Sequence, residues 1–66
     1  MREFIENDRV AVRFKGNLDK PYQGVVVRVY SARHGMYVVR RDDDGKREII
    51  SWEFMSRAAR PEVRAA

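Results

Sequence analysis

Few side chains in this chain are able to do covalent or metal chemistry. His34 is the single histidine and cysteine is absent, which removes a Cys-His pair and any thiolate metal site. A Ser-His-Asp set would need Ser31, Ser51 or Ser56 to converge on His34, and nothing in their spacing brings them there. His34 therefore reads as an exposed loop residue. Asp42, Asp43 and Asp44 are contiguous, so their carboxylates diverge, whereas calcium loops space their ligands along a longer series. They read as a solvated turn. Gly16, Gly24, Gly35 and Gly45 lie too far apart to cradle a phosphate. No catalytic residue, metal ligand or cofactor is assigned.

What remains is a set of cations interleaved with aromatics: Arg13, Lys15, Lys20, Tyr22, Arg28, Tyr30, Arg33 and Arg40. On outward positions, long cationic side chains neutralise phosphates while a tyrosine face stacks on an unpaired base, a contact worth ~1–3 kcal/mol. The competing reading is that arginines cover strand edges and solubilise the fold. Fourteen basic against ten acidic residues give a net charge of +4, which mildly favours polyanionic partners.

The elements that must position this set are strands. Arg9 to Lys15 alternates, placing Val10, Val12 and Phe14 on a core face and Arg9, Ala11, Arg13 and Lys15 outside. The loop from Gly16 to Pro21 is long for a hairpin connection and is a candidate functional loop. In the stretch from Gly24 to Tyr30, Val25, Val27 and Val29 form one face, assigned to the core, and Val26, Arg28 and Tyr30 the other. Apolar groups on both faces make this a central strand.

A third strand, Met36 to Arg41, is turned back by Asp42 to Gly45. A two-residue Asp44-Gly45 turn pairs Arg41 with Glu48, Asp42 with Arg47, Val39 with Ile50 and Tyr37 with Trp52; a three-residue turn pairs Val39 with Ile49 instead. Ser51 is placed to cap a short helical turn starting at Trp52, with Met55 and Ala59 at helical spacing. Phe4 and Ile5 are expected to close one end of the fold. The expectation is an all-β domain over residues 1–57, a small SH3-like barrel of four to five antiparallel strands with a short C-terminal helical turn, followed by a basic flexible tail at 58–66.

At 66 residues a core of this size stabilises by only ~3–5 kcal/mol, so a partner or a second copy would help. No apolar run is long enough to span a bilayer and the N-terminal residues lack a signal-peptide core, so a cytoplasmic location and no membrane partner are expected.

Asn7-Asp8-Arg9-Val10, Gln23-Gly24-Val25-Val26 and Ile49 to Met55 resemble the Tudor-like and KOW-like small barrels over Asp8 to about Arg57. A narrower resemblance is to the plasmid-encoded type II dihydrofolate reductases, which are SH3-like and tetrameric around a pore. It is carried by Asp8-Arg9-Val10, Tyr22-Gln23-Gly24, Val29-Tyr30 and Gly35 to Val39. It implies a bacterial or mobile-element source. That family's pore stretch, Val-Gln-Ile-Tyr, is Arg47-Glu48-Ile49-Ile50 here, so the resemblance implies the framework more than the reductase activity. The leading reading is a non-enzymatic module binding nucleic acid. The alternatives are a protein-interaction or homo-oligomerising module docking through Tyr22, Tyr30 and Trp52, and then a reductase-like enzyme.

Overall fold

A computed structural model describes residues 3–14 and 20–58. The fold is all-β: β1 (Arg9–Val12), β2 (Tyr22–Ser31), β3 (Met36–Arg41), β4 (Arg47–Ser51) and β5 (Met55–Arg57). All neighbours are antiparallel, in the order β4-β3-β2-β1-β5. The two edge strands are joined by one 3-10 turn, Trp52–Phe54. Four Cα–Cα steps reach at most about 15 Å, whereas the edges of a flat five-stranded sheet lie about 19 Å apart. The sheet must therefore curl on itself.

Curling gives the sheet a closed inner face. Phe4, Val10, Val12, Val26, Tyr37, Val39, Ile50 and Met55 form one buried cluster there, with Phe14, Tyr22, Trp52 and Phe54 packed against it. Phe4 closes one end: its ring meets Tyr37 edge-on at 5.4 Å and its N–H donates to the Tyr37 hydroxyl at 3.2 Å. Ile5, expected to join it, points to solvent. The segment is held by Asn7, whose left-handed φ of 76° lets its N–H donate to the Val26 carbonyl at 2.7 Å.

Two expectations about β2 and β4 are corrected. Val25 and Val27 are only half-buried and Val29 is 40% exposed, while Val26 is fully buried. The cause lies in β1: Val10 and Val12 pair with Gly24 and Tyr22, and directly opposed residues share a face. Tyr22, Gly24 and Val26 must then point inward. Register shifts at Val27 and Tyr30 are bulges, which re-aim the residues that follow.

The β3–β4 hairpin follows neither expected register. Tyr37 pairs with Ile50, Val39 with Glu48 and Arg40 with Arg47, and the Arg41 N–H donates to the Lys46 carbonyl. The loop is thus Asp42 to Gly45, longer than either expected turn. Asp44 accepts from the Lys46 N–H at 2.9 Å, an Asx-type bond that favours the longer loop, and Gly45 takes the left-handed φ of 73°.

Ser51 caps the 3-10 turn as expected, accepting from the Glu53 N–H. The helical spacing through Met55 does not hold, because the chain becomes β5 there and pairs with β1. The Ala58 N–H still donates to the Arg9 carbonyl at 3.0 Å, so pairing runs one residue into the segment expected as tail; 59–66 lie outside the described residues.

Candidate nucleic-acid interface

Which cations share a surface follows from the register. On the outer face Arg40 of β3 stands directly opposite Arg47 of β4, with Cα atoms roughly 5 Å apart. Val25 of β2 is the other neighbour of Arg40, and Arg28, shifted by the bulge onto the same face, pairs with Val38. Arg28, Arg40 and Arg47 are exposed. Among the described residues none has a carboxylate within ion-pair distance.

The acids are drawn elsewhere. Asp42 pairs with Arg9, and Asp43 with Arg41 at 2.9 Å. Asp8 accepts from Arg57 at 3.1 Å and from the Ile5 N–H at 3.0 Å. Glu48 accepts from the Tyr22 hydroxyl at 2.7 Å and lies 3.4 Å from Arg41. The hydrogen bond from Arg41 holds the Asp43 carboxyl below its ordinary range. Negative charge thus concentrates at the hairpin tip, the inner face and the N-terminal turn. Asp42, which reaches Arg9 on the outer face, is paired there, leaving Arg28, Arg40 and Arg47 as the cations of that face without a carboxylate partner among the described residues.

The expected site residues divide accordingly. Arg28 and Arg40 come together, and Arg47 joins them. Sequence reasoning missed Arg47 because the shorter turn paired it with Asp42. Tyr30 is exposed at its bulge, two residues beyond Arg28. Arg13 and Lys20 are exposed at the ends of the β1–β2 connection, and Arg33 lies in the β2–β3 turn beside His34, whose Nδ1 is 2.9 Å from the Ser31 hydroxyl. Lys15 lies outside the described residues, as does most of the loop singled out as a functional candidate.

Tyr22 does not face outward as expected. It lies on the inner face, bonded to Glu48 under the Arg41 guanidinium, 4.1 Å from its ring centroid. Trp52 is half-buried against the core, so Tyr22, Tyr30 and Trp52 do not form one docking surface.

Burial, followed by the hydrogen bond to Glu48, pushes the Tyr22 phenol above its ordinary value. Above about pH 10 the unfolded tyrosine ionises while the folded one keeps its proton. The unfolded state then binds fewer protons, so stability that is fully present below pH 10 is lost as pH rises. Tyr22→Phe should cost about 1 kcal/mol at pH 8, and its deficit against the wild type should shrink by pH 11 in urea titrations. A deficit that stays constant or widens would sink this assignment.

No protein-family model, curated protein or solved structure matches the chain. Among the described residues no helix is long and apolar enough to cross a membrane.

Proposed function

We propose that the chain is a non-enzymatic SH3-like module that binds nucleic acid through the outer face of β2, β3 and β4. The fold half of this reading is supported by the strand order, the long β1–β2 connection and the 3-10 turn between β4 and β5. The binding half rests on the direct Arg40–Arg47 pairing. Like charges opposite one another destabilise a sheet by roughly 0.2–1 kcal/mol, and edge protection does not account for Arg40, which sits on an interior strand. A polyanion converts that repulsion into phosphate contacts, with Arg28 extending the row. Glu48, standing where the type II reductases carry Gln, is engaged by Tyr22 and Arg41, which fits a structural role.

The test is a fluorescence titration of labelled single-stranded and duplex DNA and RNA across salt concentrations. Affinity should fall steeply with salt, with a log–log slope of about −0.7 per neutralised phosphate for single strands and about −0.9 for duplex. Arg28→Ala should reduce the slope by nearly one unit and weaken all sequences alike. Binding weaker than about 100 μM at low salt would reject the reading. The second reading, a homo-oligomer, is favoured by Ile49, which opposes Val38 on the arginine-bearing face, and by Val29 and Tyr30, all three of which leave apolar surface exposed. Concentration-dependent light scattering without nucleic-acid binding would select it.

A further inference from the structure

A cleft of about 520 Å³ opens between the end of β1, the start of β2 and β5, on the side of the outward-facing Ala11, Gln23 and Ser56 and reaching Val12 and Tyr22, within the range of small-ligand sites. Its floor is Ala11, which pairs with Gln23 on β2 and Ser56 on β5. A methyl group between two longer side chains makes the row dip. Pro21 and Arg13 line it beside the start of β2 and the end of β1, and the Arg13 N–H, donating to the Phe54 carbonyl at 2.9 Å, fixes the chain there.

From these residues we infer that the cleft receives one unpaired nucleotide of a bound single strand, with adenine preferred. The lining suits the three chemical parts of a nucleotide. Pro21 and the Ala11 methyl offer apolar surface to a base face. The Gln23 amide and Ser56 hydroxyl each donate and accept, and an amide of this kind matches the N6 donor and N7 acceptor of adenine. The Arg13 guanidinium suits a phosphate. A base inside a duplex is stacked and paired and cannot enter, whereas an unpaired base can be splayed out. This inference rests on the nucleic-acid reading and deepens it: the arginine row supplies affinity for the backbone and the cleft supplies choice of base.

The experiment compares oligo(dA), oligo(dT) and duplex binding by the wild type, Ala11→Leu and Gln23→Ala, with thermal melts as the folding control. Oligo(dA) should bind the wild type about tenfold more tightly than oligo(dT). Ala11→Leu, which fills the cleft, and Gln23→Ala, which removes the amide from an exposed position, should each abolish that preference while keeping the salt slope. A wild type without base preference, or folded variants that retain it, would overturn the cleft. Should Ala11→Leu fail to fold, Gln23→Ala decides alone. Titration with adenosine monophosphate, followed by amide NMR shifts, separates this inference from the reading beneath it. Shifts at Ala11, Gln23 and Ser56 without strand binding would keep the cleft and remove the arginine row; strand binding without those shifts would do the reverse.

Discussion

Gly24→Ala is expected to leave the protein largely unfolded at room temperature. Gly24 is buried on the inner face of β2, where a Cβ would lie 2.3 Å from the Arg40 carbonyl oxygen and 2.9 Å from Val39 Cγ1. The first of these atoms is backbone, and β2 and β3 are held together there by the Gly24–Arg41 and Val25–Arg40 pairs and by the Asp42 N–H donating to the Gln23 carbonyl at 3.0 Å, so neither strand can retreat without breaking the ladder. Overpacking a core costs ~1–3 kcal/mol even where flexible side chains yield. Against a total of ~3–5 kcal/mol for a domain of this size, a backbone collision removes most of the stability. Gly45→Ala is the control: nothing lies within 4 Å of its added Cβ, so only the cost of an alanine at φ 73° remains, about 1 kcal/mol. Circular dichroism melts of the two variants measure the contrast. A Gly24→Ala protein melting close to wild type would mean that β2 and β3 are not so closely apposed.

Arg40→Glu is expected to move stability and binding in opposite directions. Across the strands it would replace a like-charge pair by an opposite-charge pair with Arg47, a gain of a few tenths of a kcal/mol. The same change removes a phosphate contact and places a repulsive carboxylate in the middle of the row. Loss of a charge-assisted contact alone weakens affinity by about tenfold, and the reversal should exceed that at low salt. Chemical denaturation and the oligonucleotide titration read the two effects independently. Unchanged binding in a folded Arg40→Glu protein would remove this face from consideration, and a loss of stability would show that Arg40 has an unrecognised structural partner.

How far the sequence could be read depended on whether each segment had one apolar face or two. β1 alternates Arg9 and Ala11 with two valines through Arg9–Val12, and its phase is as expected. The six residues of β3 were likewise delimited by their composition. In β2, by contrast, valines occupy three consecutive positions from 25 to 27, so period-two alternation does not distinguish the faces. The informative residue was Gly24, which pairs with Val10 and fixes the phase. The hairpin failed for a different reason: Asp-Gly invites a tight turn, but Asp44 bonds its own backbone two residues on and lengthens the loop. That error hid Arg47 and with it the cross-strand pair on which the proposed interface rests. The inward position of Tyr22 follows from the phase of β2 and was misread with it.

The three-residue link between β4 and β5 also sets an order of events in folding. β2, β3 and β4 form a meander whose contacts are close in sequence, and they can assemble early. β5 has to return across the whole chain to lie beside β1, pairing Val10 with Arg57 and Val12 with Met55. The entropy of closing so large a loop falls instead on the meander, which delivers β5 through the short 3-10 turn once β4 is in place. Non-local pairing of this kind slows folding and leaves its last element the most weakly held. β5 is accordingly the strand whose amides should exchange with solvent first, opening the Met55 end of the core while the arginine-bearing meander stays folded.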